Sequence, residues 1–156
     1  LEVRPAQVTL VPDAPDAITS NAGWDTLKHR PFLTDVTARF REAGIRVSIF
    51  VDPDPQMAAG AAACGADRVE LYTEAYARNY REDREAAIAP YVAAAEAARA
   101  NGLRLNAGHD LDLENLAFFA ERIPWTDEVS IGHALISDAL YYGLENTVAL
   151  YRRCLK

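Results

Sequence analysis

Hydrophobic positions along this chain recur alternately with a period of two and a period near 3.6, and the two periods take turns from one end to the other. Gln7 to Val11 (QVTLV) is a short β-branched run that predicts a strand, stopped by Pro12-Asp13-Ala14-Pro15. Leu33, Val36, Thr37 and Phe40 fall at helical spacing, predicting a helix over Phe32 to Ala43 with Gly44 at its C-cap. Arg46 to Val51 (RVSIFV) is a second strand, stopped by Asp52-Pro53-Asp54-Pro55. There Asp54 is the expected N-cap and Pro55 the first residue of a helix over Gln56 to Cys64, closed by Gly65. Arg68 to Thr73 (RVELYT) is a third strand. It leads into a polar loop over Glu74 to Asp83 and a long alanine-rich helix over Arg84 to Ala100, where Pro90 predicts a kink or a helix start.

The C-terminal third repeats the design with a sharper signal. In Arg104 to Leu111 (RLNAGHDL) an alternating run breaks at Ala107-Gly108 and delivers His109 and Asp110 into a loop. A helix over Leu113 to Arg122 follows, and then a strand over Glu128 to His133, in which Val129-Ser130-Ile131 again meets a Gly-His pair, Gly132-His133. Two amphipathic helices, Leu135 to Gly143 and Leu144 to Leu155, close the chain. Glycine at these strand ends permits φ > 0 or the close approach of a ligand, and histidine suits proton transfer near neutral pH. Two turn glycines with incidental histidines would give the same letters, but the repetition at equivalent positions favours function.

The order is strand then helix, five times over, with an Ala-x-Gly-type boundary recurring before strands in REAGIRV, AACGADRV and ARANGLRL. Such alternation implies a parallel sheet with right-handed crossovers. Between an open doubly wound sheet and a TIM (β/α)8 barrel, the barrel is favoured, because polar residues intrude at alternate strand positions and site candidates gather at C-terminal strand ends. A complete barrel takes roughly 250 residues, so 156 residues are expected to supply about five-eighths of one. Leu1 implies a natural start upstream.

Charge narrows the partners. The net charge of −7, from 16 basic and 23 acidic residues, argues against nucleic acid or an anionic membrane, so any anionic ligand must be held by local geometry. The two cysteines, Cys64 and Cys154, have no metal-ligand spacing, and no signal peptide or membrane-length apolar run is present, which fits a reduced, cytoplasmic protein. Asp52 and Asp54 are better explained as a strand-end carboxylate and a cap than as metal ligands. Glu70 interrupts an apolar strand and is expected to face the barrel interior, either as a site carboxylate or in a buried ion pair with an arginine. The loop from Pro12 to Pro31 is far longer than the usual connector of about 4 to 6 residues, and its Thr19-Ser20-Asn21-Ala22-Gly23 run suggests a functional loop.

Taken together, VTLVPDAPDAITSNAGWD, AGIRVSIFVDPD, RVELYTEAYA, GLRLNAGHDL and VSIGHALISDALYYGL resemble the C-terminal part of the pyridoxine 5'-phosphate synthase family of vitamin B6 synthesis. The resemblance covers essentially the whole chain and implies barrel strands four to eight, with strands one to three absent. It implies condensation of 1-deoxy-D-xylulose 5-phosphate with 3-amino-2-oxopropyl phosphate to pyridoxine 5'-phosphate, inorganic phosphate and water, with no metal or organic cofactor. By the same resemblance His109 is the proton donor and acceptor, and Glu70 stabilises the transition state. Thr19 contacts the deoxyxylulose phosphate, while Gly132 and His133 hold the amino-ketone phosphate. Asp110 stands where many members have a glycine contacting that substrate, so only its backbone N–H is expected to touch phosphate. A homo-oligomer is implied, with the apolar tail TVALYRRCL as a candidate contact. The alternatives are another phosphosugar-binding TIM-barrel enzyme and a non-catalytic half-barrel partner.

Overall fold

The computed structural model describes residues 1–156. Its strands are β1 (Gln7–Leu10), β2 (Arg46–Val51), β3 (Arg68–Tyr72), β4 (Arg104–Gly108) and β5 (Thr126–Ser130). Its helices are α1 (Arg30–Glu42), α2 (Pro55–Ala63), α3 (Glu74–Asn79), α4 (Arg84–Ala100), α5 (Leu116–Arg122), α6 (His133–Tyr142) and α7 (Leu144–Cys154). The strands pair in parallel and in sequence order, β1-β2-β3-β4-β5. A doubly wound sheet reverses its strand order at a switch point, and this sheet does not. It is also strongly curved. In a flat sheet β1 and β5 would stand roughly 19 Å apart, four times the strand spacing. Here Gln7 Nε2 on β1 donates to Glu128 Oε2 on β5 at 3.1 Å. The architecture is thus an arc of a (β/α)8 barrel, open between β1 and β5.

Period-two alternation sorts the strand residues between two environments. Val47, Ile49, Val51, Val69, Leu71, Leu105 and Ala107 are buried and join Leu33, Ala58, Ala61, Ile88, Tyr91 and Phe119 from the helices in one apolar core. The alternate positions, Ser48, Arg68, Glu70 and Asn106, are buried too, but lie on the concave side. The repeated boundary works as the sequence suggests. Gly44 and Gly102 take φ of +74° and +76° after α1 and α4, a turn that an L side chain would strain. Asp54 accepts from Gln56 N at 2.7 Å to cap α2, and Asp52 accepts from Gly23 N at 3.2 Å, so both carboxylates have structural partners.

Four local expectations change. Residues 74–79 form α3 rather than a polar loop, because Tyr76 is fully buried there and tertiary contacts outweigh local polarity. Its hydroxyl donates to Asn115 O at 2.8 Å, its N–H donates to Tyr91 Oη at 3.2 Å, and its ring meets Tyr80, Tyr91 and Phe119 edge-on. The last strand is Thr126–Ser130, not Glu128–His133, since pairing with β4 ends at Gly108↔Ser130. His133 consequently opens α6 instead of ending a strand, and α5 begins at Leu116. Finally, α4 begins at Arg84 and continues through Pro90, so the proline does not start the helix. Pro90 and Ala86, whose carbonyl loses its usual partner, both lie on the solvent face, where water can satisfy the freed oxygen.

Two outcomes are expected from these features. In the complete protein, Tyr76→Phe leaves the Asn115 carbonyl without its buried donor and should cost about 1–2 kcal/mol, read as a lower denaturant midpoint at unchanged slope. The free edges of β1 and β5 should make these 156 residues alone self-associate or melt without a sharp transition. A cooperative melt from a monomer, by calorimetry with sedimentation, would refute that.

Candidate active site at the C-terminal ends of the strands

The residues singled out in the sequence come from four different segments, and the parallel sheet brings the ends of those segments to one rim. Thr9, Thr19, Ser20, Glu70, His109, Ser130, Gly132 and His133 line an open cleft of about 770 Å³. A second cleft, about 700 Å³, lies between α5, β5 and the C-terminus, away from the strand ends that carry these groups.

Glu70 sits on the concave side of β3, 7% exposed. Its Oε2 accepts from Thr9 Oγ1 at 3.0 Å, and no arginine pairs with it. The arginine beside it in sequence, Arg68, donates instead to Asn106 Oδ1 at 2.8 Å and pairs with Glu128 at 3.3 Å. Of the two environments open to Glu70, the ion pair is therefore not the one formed. Burial raises the Glu70 pKa above its usual value, and Glu128 adds to the rise. The Thr9 and Ser130 hydroxyls and His109 act against it without cancelling it.

Gly108 owes its identity to crowding rather than to dihedral freedom. A Cβ there would stand 2.5 Å from Ser130 O and 2.9 Å from Glu70 Oε1, so only glycine lets β4 pass between β5 and the carboxylate. The positive φ expected of glycine falls on the next residue, His109, at +96°. Such a conformation costs a non-glycine residue on the order of 1–3 kcal/mol and persists only where neighbours fix it. Three bonds do so: His109 N donates to Ser130 O at 3.1 Å, Asp110 N to Thr73 Oγ1 at 3.1 Å, and Thr73 Oγ1 to Gly108 O at 2.6 Å. The Asp110 N–H expected to face phosphate is thereby committed to Thr73.

The imidazole of His109 has both nitrogens engaged. Nδ1 lies 2.7 Å from Asp110 Oδ2 and Nε2 lies 2.6 Å from Thr19 Oγ1, while Tyr72 packs edge-on at 5.2 Å between centroids. Thr19 reaches the site because its loop, residues 11–29, is tied down: Trp24 N donates to Phe50 O at 2.8 Å, Tyr72 Oη donates to Ser20 O at 3.2 Å, and Ser20 Oγ donates to the Asp13 carboxylate. Gly132 is the N-cap of α6, with φ −103° and no side-chain capping bond, so the first N–H groups of the helix are left for the cleft. His133 is exposed beside it. Thr9, Thr73 and Ser130 escaped the sequence reading. Thr9 and Ser130 share the period-two register of Gln7 and Glu128, a signal present in the letters, whereas Thr73 has none.

A family model described as "Pyridoxal phosphate biosynthesis protein PdxJ" matches residues 1–156. A protein of Cytophaga hutchinsonii named "Pyridoxine 5'-phosphate synthase" is 64% identical over 154 residues, covering 99% of this chain and 65% of its own length. One of Bacteroides thetaiotaomicron with the same name is 61% identical over 156 residues, covering 100% of this chain and 66% of that protein. One of Christiangramia forsetii, also so named, is 57% identical over 156 residues, again covering 100% and 66%. The chain thus spans just under two thirds of the length of these relatives. With a match along every residue and a sheet whose polar rim gathers histidine, glutamate and an open helix terminus, this chain belongs to the PdxJ family.

Proposed function

We propose that the chain, as the C-terminal five βα units of a single (β/α)8 barrel, works in the reaction of pyridoxine 5'-phosphate synthase. That reaction condenses 1-deoxy-D-xylulose 5-phosphate with 3-amino-2-oxopropyl phosphate, releasing inorganic phosphate and water. The observation carrying this reading is the convergence of an imidazole, a buried carboxylate and an uncapped helix N-terminus on one cleft. The relatives' names agree with it.

Ring closure moves protons repeatedly between carbon, nitrogen and oxygen centres, and in this reading His109, which lines the cleft, gives and takes them. Glu70, held in a poorly solvated position, favours a cationic or proton-transferring state of the intermediate. Free N–H groups at the start of α6, around Gly132 and His133, suit a phosphate in a chain that is acidic overall. Thr19 supplies a hydroxyl from the long loop for the deoxyxylulose phosphate. Homo-oligomer formation belongs to the same reading and is supported by Leu140 and Tyr141, 82% and 87% exposed on α6. No helix is long and apolar enough to cross a membrane.

In the complete protein, His109→Asn should abolish turnover while both phosphorylated substrates still bind by calorimetry. Gly132→Val should weaken the amino-ketone phosphate about tenfold or more, with no more than the small fall in melting temperature expected of a poorer N-cap, because nothing lies within 4 Å of a Cβ at that position. Near-normal turnover in the first variant, or unchanged affinity in the second, would overturn these roles.

Glu70 yields a separate outcome through linkage. A carboxyl whose pKa is higher folded than unfolded binds its proton more tightly when folded. Its contribution to stability is therefore greatest below the unfolded value of about 4.3 and declines as pH rises through the folded value. Glu70→Gln should accordingly raise the melting temperature at pH 7, give no comparable gain near pH 4, and lower kcat far more than substrate affinity. A loss of stability at pH 7 with activity retained would sink this account.

A further inference from the structure

We propose that Asp110 is a positioning residue for His109: its carboxylate accepts a hydrogen bond from Nδ1–H and so leaves the Nε2 lone pair facing the cleft. The inference rests on the reading of His109 as the proton carrier, and it extends that reading from the imidazole to the group that sets its tautomer. A carboxylate is an acceptor only, so the 2.7 Å contact between Asp110 Oδ2 and Nδ1 places the proton on Nδ1. In a neutral imidazole Nε2 then has no proton, and the Thr19 hydroxyl, 2.6 Å away, donates to it. The order carboxylate, imidazole, hydroxyl is the one by which a base is oriented by a third group.

The backbone is arranged to make this contact. Adjacent side chains of an extended chain point to opposite faces, so residues 109 and 110 would ordinarily diverge. The φ of +96° at His109 turns the chain and lets the two side chains meet. Clamps from the ends of β3 and β5, Thr73 and Ser130, hold the turn in place.

The Asp110 carboxylate has no other occupation. Capping ahead of α5 is done by Asp112, whose Oδ1 accepts from Glu114 N and Asn115 N at 2.9 Å each. No arginine or lysine pairs with Asp110, and its only ionic partner is His109. A side chain serving the fold alone would have a fold partner, and this one has an imidazole.

The test is ¹⁵N NMR of histidine-labelled complete protein, with the His109 ring signals assigned by their loss in His109→Asn. At a pH where the ring is neutral, the wild type should show the Nδ1–H tautomer. Asp110→Ala should move the ring to Nε2–H, the form preferred by a free histidine side chain, and lower kcat about tenfold or more with KM within about twofold. Asp112→Ala, which disturbs the same loop through its cap, should leave the tautomer unchanged. An Nε2–H tautomer in the wild type, an unchanged tautomer in Asp110→Ala, or unchanged kcat in that variant would each overturn the proposal. Should Asp110→Ala fail to fold, the wild-type tautomer still decides. Absence of synthase turnover in the wild type would defeat the functional reading alone, leaving the tautomer assignment to stand or fall by its own spectrum.

Discussion

At residue 108 three strands come together with no room for a side chain. Gly108 passes so close to Ser130 O and Glu70 Oε1 that a single methyl would displace either the last strand or the buried carboxylate. Its carbonyl receives the Thr73 hydroxyl, and the two N–H groups that follow it are taken by Ser130 and Thr73. The ends of β3, β4 and β5 are thus locked by one short peptide segment, and His109 is presented from that lock. Close packing at this point makes the strand end a fixed platform, which holds the orientation of the imidazole that follows it.

Beneath the rim, the concave side is unusually polar for a protein interior. Arg68, 3% exposed, faces Asn106 and Glu128, and Glu128 is also reached by Gln7 and lies 3.9 Å from Arg46. Such a layer adds little net stability, since burying Arg68 costs desolvation and its partner Glu128 is screened by solvent. Its effect is one of specificity: every partner must be in register for the charges to be met. The outer, apolar faces of the same strands supply the cohesion, through contacts with α1, α2, α4 and α5. Period-two alternation therefore separates an apolar outer face from a polar inner one on β2, β3 and β4.

Much of this was legible in the letters. The Gly-terminated helices, the strand cores RVSIFV and RVELYT, the inward aim of Glu70 and the Gly-His pairs all follow from spacing and from the conformational range of a few residue types. What escaped depends on contacts distant in sequence. Tyr76 turns residues 74–79 into a helix because Asn115 and Tyr91 await it, and neither is visible from the local composition EAYARN. The similarity of the two Gly-His pairs also misleads. Gly108 is required by crowding and its histidine carries the turn, whereas Gly132 stands in open space as the cap of α6. For Asp110 the resemblance implies only a backbone contact, and its carboxylate lies against the imidazole in space. Letters report what a residue can do, and the neighbour across the sheet selects which of those things it does.

The contact between Thr19 and His109 has a consequence for any molecule entering the cleft. The nitrogen best placed to accept a proton already has its lone pair occupied by a hydroxyl of the same chain. An incoming group must therefore compete for that lone pair, and succeeds only by drawing the loop of residues 11–29 aside or by offering a better donor. Water, a small and ubiquitous donor, gains little by the exchange, whereas a molecule that also engages the loop would free this nitrogen as it enters.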